Sequence, residues 1–197
     1  MNFLAHLYLS GNNTQLMIGN FIADHVKGNQ FEKFNSSIQK GILLHRGIDA
    51  FTDSHEIVKN SQRRLHERYR HYDGVIIDIF YDYFLAKNWH SYSAIPLNIY
   101  TKSVYDLFES KSDELPVKSQ NFIKYMIEYD ILYNYQYKEG IQKVLNGMNH
   151  RTKGKSQMHL ALEDLIQLED ELENDFTDFF IDLMQYSKNT IQELTTT

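Results

Sequence analysis

The chain has 197 residues, a formal net charge of −6 at pH 7, fourteen tyrosines, twelve phenylalanines and no cysteine. That length and aromatic content suit a folded unit with a substantial core and exclude a disordered chain. The missing cysteine excludes disulfides, thiolate–zinc sites and a cysteine nucleophile, and the negative balance argues against general nucleic-acid binding.

The opening MNFLAHLYLSGNN carries no basic leader, and His6 interrupts its apolar run, so it is not read as a signal peptide. GNFIAD follows at residues 19–24. His6 and Asp24 each stand among apolar neighbours, where an unpaired charge is costly and a metal ion is one partner that removes the cost. A satisfied core histidine and a capping aspartate are the other reading. Ile38, Ile42, Leu43, Ile48 and Phe51 predict a helix over residues 36–55. On it His45, Asp49 and Asp53 recur every fourth position and share a face, beside Leu44, Ile48 and Phe51. Residues 63–71, RRLHERYRH, concentrate positive charge on an acidic background.

A further helix is expected over residues 74–89, built on Ile76, Ile77, Ile79, Phe80, Phe84 and Leu85. Asp78 and Asp82 repel one another at helical spacing, and no basic residue lies between Val75 and Ala86, so their counter-charge must come from elsewhere in the fold. Pro96 and Pro116 mark helix starts. Leu165, Leu168, Leu172, Phe176, Phe179 and Leu183 predict one long amphipathic C-terminal helix. No segment approaches the roughly 20 apolar residues of a spanning helix. Without repeats or linkers, the pattern reads as a single all-α domain over residues 1–197, in the cytoplasm.

Two histidines and five aspartates thus fall on helices that can face one another. Imidazole with several hard carboxylates and no sulfur suits Mn²⁺, Mg²⁺ or Fe²⁺ better than structural zinc. Such a site can polarise a phosphoryl oxygen and activate water, as phosphodiester hydrolysis requires.

NFLAHL, GNFIAD, GILLHRGIDAFTDSH, DIFYDYFLAKNW and the later VLNGM–x–x–R, in that order, resemble the acyl carrier protein phosphodiesterases. The resemblance implies a helical bundle distantly related to the HD-domain phosphohydrolases. It also implies Mn²⁺-dependent hydrolysis of holo-acyl carrier protein to the apo-protein and 4′-phosphopantetheine. Carried over by motif, His6, Asp24, His45, Asp49 and Asp78 form the metal site, with Asp24, His45 and Asp49 catalytic. Asp82 and Asp53 follow as further ligands or supports, and Arg46 and Arg151 as phosphate-binding residues. The adjacent His-Asp pair that names the HD proteins is absent, and Asp24-His25 reverses its order.

An acidic carrier implies a basic docking face, expected at Arg63, Arg64, Arg68 and Arg70, with residues 150–155 as a second candidate. His55 and His66 are candidates for protonating the leaving oxygen. Two other functions fit the residues: an HD-like phosphohydrolase of nucleotides or small phosphodiesters, and a non-catalytic helical binding module.

Overall fold

In the computed structural model, which describes residues 1–196, the chain is an all-α bundle with no strand among the described residues. Its helices are α1 Phe3–Leu9, α2 Thr14–Ile22, α3 Ser36–Ser54, α4 Glu56–Tyr69, α5 Asp73–Lys87 and α6 Leu97–Lys111. After them come α7 Val117–Glu128, α8 Ile131–Asn134, α9 Lys138–Arg151, α10 Ala161–Gln167 and α11 Glu169–Thr196. No helix is long and apolar enough to cross a membrane.

The expected helices over residues 36–55 and 74–89 appear as α3 and α5. α5 is the axis of the bundle and is buried almost all round, with α1, α4, α9 and α11 packed against it. All six of its expected core residues are buried. On α3, Ile38, Ile42 and Ile48 are buried as expected, whereas Leu43 is 38% exposed and Leu44 takes the inward place. Pro96 and Pro116 sit immediately before α6 and α7, where no helical N–H is lost.

The long C-terminal helix is broken. Leu168 leaves the helical conformation (φ −110°, ψ 18°) and divides the segment into α10 and α11. Glu169, the first residue of α11, is held there by Lys87 at 3.0 Å, Lys138, and the Tyr83 hydroxyl at 2.8 Å. Apolar spacing survives such a kink, so periodicity alone does not report it. Phe176 and Phe179 of α11 interlock with Tyr81 and Phe84 of α5, and Phe180 stacks on Phe176.

Two local devices position the chemistry. Asn35 caps α3 by accepting from the Ile38 amide at 3.0 Å, and Asn13 caps α2 by accepting from Gln15 and Leu16. α2 and α3 then cross at Gly19 and Gly41. A Cβ at either residue would lie 2.8 Å from the other's Cα and closer still to a backbone oxygen. This glycine-on-glycine contact brings the end of α2 against the middle of α3.

Candidate metal centre

α1 supplies His6, α2 Asn20, the 3₁₀ turn Ala23–His25 Asp24, and α3 His45 and Asp49. The imidazoles of His6 and His45 stack 4.1 Å apart, 19° from parallel. Asp49 spans both: one carboxylate oxygen is 3.1 Å from His6 Nε2, the other 3.1 Å from His45 Nε2. Asp24 approaches His45 Nε2 at 3.4 Å. The two rings form a buried floor, while the Asp49 and Asp24 side chains, 43% and 57% exposed, form an open lip.

The electrostatics follow. Burial and the neighbouring His45 charge hold the His6 pKa below its usual value. Burial also acts against the His45 cation, but the Asp24 and Asp49 carboxylates beside it outweigh that and raise the pKa to about 9. The hydrogen bond to His45 lowers the Asp24 pKa. Burial would raise that of Asp49, yet the two histidines outweigh it and keep the carboxylate ionised.

The donor set fits a divalent cation. One ligand atom each from His6, His45 and Asp49 lies within 4.8 Å of the others. The 3.1 Å contact to Asp49 lacks hydrogen-bond geometry, so both ring nitrogens of His6 are buried without a hydrogen-bond partner. An orphaned imidazole of this kind costs on the order of 1–3 kcal/mol, and a cation coordinated by its lone pair is one partner that would remove the cost.

Asn20, which sequence reasoning did not single out, orders the floor. Its Nδ2 donates to the His6 carbonyl at 2.8 Å and to Ser10 Oγ at 3.0 Å, which fixes the amide. Its Oδ1 therefore accepts from His45 Nδ1 at 3.0 Å, leaving the His45 Nε2 lone pair for the centre. The available signal was its place four residues before Asp24 on one helical turn.

The remaining expected site residues lie around this core. Asp78 pairs with the Met1 amino group at 2.9 Å, supplying the counter-charge that the sequence required. Asp53 is exposed, and partial burial with repulsion from Asp78 and Asp49 raises its pKa. Asp82 is fully buried beneath the start of α1, accepting from the amides of Leu4 at 2.7 Å and Ala5 at 3.2 Å. Burial lifts its pKa to about 7 against those two bonds. It caps α1 and is not among the atoms that converge on the histidine pair.

Arg46 donates to the carbonyls of Val26 (3.2 Å) and Gly28 (2.8 Å) and lies over the Phe31 ring, pinning the loop after Asp24. Arg151 is exposed at the end of α9. With Lys118 it lies close enough to His25, the neighbour of Asp24, to lower that imidazole's pKa, although burial is the larger cause. His25 accepts from or donates to Ser119 Oγ at 2.8 Å, which docks α7 beside the lip.

The basic run on α4 is largely neutralised within the chain. Arg63 pairs with Glu56, Arg64 with Asp175, and Arg68 with Glu163 and Asp164. Arg70 ends α4 with a positive φ of 54°. His55 and His66 contact Asp182 at 3.3 Å and Asp73 at 2.7 Å, away from the histidine pair.

A helical bundle with two stacked imidazoles under an acidic lip defines a class, a candidate metallohydrolase. The family follows from comparison. The model of the family described as acyl carrier protein phosphodiesterase matches residues 1–183, and the chain belongs to that family. A protein named acyl carrier protein phosphodiesterase from Enterobacter sp. (strain 638) is 30% identical over 190 residues, covering 96% of this chain and 98% of the relative. One of the same name from Escherichia coli O45:K1 is 31% identical over 186 residues, covering 94% and 96%. No solved structure matches the chain. The protein is a hydrolase acting on phosphodiester bonds.

Proposed function

We propose that this protein releases 4′-phosphopantetheine from holo-acyl carrier protein by hydrolysing the phosphodiester at the carrier's serine. The observation that carries the reading is the orphaned His6 imidazole stacked on His45 beneath Asp49, with the name of the relatives supplying the substrate. His6, His45 and Asp49 would hold a divalent cation, Mn²⁺ in this reading, with Mg²⁺ or Fe²⁺ as substitutes. Bound there, the cation supplies Lewis acidity to the phosphoryl group.

The chain's own residues do the rest. Asn20 holds the His45 tautomer. Asp24, ionised and open to solvent, is placed to accept a proton from the attacking water. Asp78 and Asp53 add negative charge at the rim and help retain the cation. Arg151 is the proposed phosphate contact, seconded by Arg46 through the N–H groups its carbonyl partners leave unused. Of the basic run on α4, Arg70 leads the proposed docking face for the acidic carrier, with Arg63 second and Arg64 and Arg68 contributing less because half-buried acids already hold them. The match along residues 1–183 supports treating residues 1–197 as one domain, and a cytoplasmic location belongs to the same reading.

Mass spectrometry of holo-acyl carrier protein incubated with the enzyme and Mn²⁺ tests the proposal. The carrier should lose the phosphopantetheine mass, and chelation should prevent the loss. An unchanged carrier under conditions where nucleotides are hydrolysed would overturn the substrate assignment.

A further inference from the structure

On α1, Tyr8 follows His6 by two positions, about 200° round the helix, and so faces away from the histidine floor. A cavity of about 420 Å³ opens on that side, between α1, the segment that joins α5 to α6, and the C-terminal half of α11. Its walls are chiefly apolar: Leu9, Trp89, Ile95, Met184 and Ile191. The volume falls within the roughly 300–1,000 Å³ of small-molecule sites.

Two polar groups in this wall have no use in the fold. Tyr100 and Ser187 both line the cavity, and the hydroxyl oxygen of each is buried without a hydrogen-bond partner. By contrast, the Tyr8 hydroxyl donates to the Tyr92 carbonyl at 2.9 Å and Trp89 Nε1 donates to the Ile95 carbonyl at 2.8 Å. Each unsatisfied hydroxyl costs on the order of 1–3 kcal/mol, and a ligand in the cavity is one partner that would remove that cost. At the lip stands Lys188, exposed and, among the described residues, paired with no acid.

We propose that this cavity binds a medium-length aliphatic carboxylate. The chain lies against Leu9, Trp89, Ile95 and Ile191, and the carboxylate accepts from Tyr100, Ser187 and the Lys188 ammonium. A carboxylate has lone pairs for three donors, which a neutral apolar ligand lacks. The site is separate from the metal centre and takes its support from different residues, so it stands or falls independently of the proposed reaction.

Trp89 is the chain's one tryptophan, so its fluorescence reports on the cavity. Titration with decanoate should give a saturable change below the micelle concentration, while acetate should give none. Decanol, with the same chain and no charge, should bind more weakly than decanoate. Lys188→Glu should weaken decanoate by about tenfold and leave decanol unchanged, and Tyr100→Phe should weaken decanoate by roughly threefold or more. Both substitutions should leave metal-dependent hydrolysis unaltered. Calorimetry on the same samples covers a fluorescence-silent binding event. Absence of binding by both methods would overturn the proposal, as would equal decanoate affinity in Lys188→Glu and the unaltered protein.

Discussion

At the residue scale, the candidate site separates groups that converge from groups that support. His6 is buried with neither nitrogen hydrogen-bonded, and Asp82 is buried with both oxygens occupied by α1 amides. His6→Ala should therefore abolish high-affinity Mn²⁺ binding with circular dichroism unchanged. Asp82→Ala should cost about 1–3 kcal/mol in chemical denaturation by orphaning the Leu4 and Ala5 amides, with Mn²⁺ affinity retained once folded. Loss of Mn²⁺ affinity in a folded Asp82→Asn protein would show that the carboxylate does more than cap. Asn20→Ala should lower metal affinity roughly 10–100-fold by releasing the His45 ring, as loss of such supporting groups generally does.

At the element scale, the α2–α3 crossing decides whether a site exists. Gly19 and Gly41 are in backbone contact, and that contact sets Asn20 and Asp24 against His45. Neither glycine lies where a turn or a left-handed φ demands one, so close approach is the reason for both. A methyl group at Gly41 would press into the Leu16 carbonyl, and backbone cannot rotate away as a side chain can. Gly41→Ala should destabilise the fold by about 1–3 kcal/mol or more and reduce turnover beyond what the lost stability explains. Native melting temperature with full activity would refute the crossing's role. Folding the basic run into ion pairs with α10 and α11 has a second consequence at this scale. Reversing Arg64 and Arg68 should act through stability, whereas reversing Arg63 and Arg70 should raise KM for the carrier several-fold at unchanged kcat.

At the scale of the whole molecule, the centre couples metal binding to protons. Without metal, His45 has a pKa of about 9, above its ordinary 6.5, so its proton stabilises the fold fully below pH 6.5 and ceases to do so as the pH rises through 9. A cation bound at Nε2 displaces that proton. Metal affinity should therefore rise with pH up to about 9, by as much as about tenfold per unit, and each binding event at pH 7 should release about one proton. Calorimetry in buffers of different ionisation enthalpy measures that number; zero would place His45 outside the coordination sphere. The bundle's net charge of −6 adds a background attraction for cations that added salt should screen.

Much of this was legible in the linear chain. Period-3.6 apolar spacing revealed α3 and α5, and four-residue spacing placed His45 and Asp49 on one face, because both are local consequences of helical geometry. The order of motifs was enough to indicate the family. Only the tertiary structure placed Asp82 under the α1 amides, brought Asn20 to His45, and tied Arg64 and Arg68 to acids distant in sequence. It also broke the C-terminal helix at Leu168, where the pull on Glu169 comes from Lys87 and Lys138. A helical repeat records which face a side chain occupies. Which partner meets that face is settled by packing between segments far apart in sequence, which no local pattern encodes.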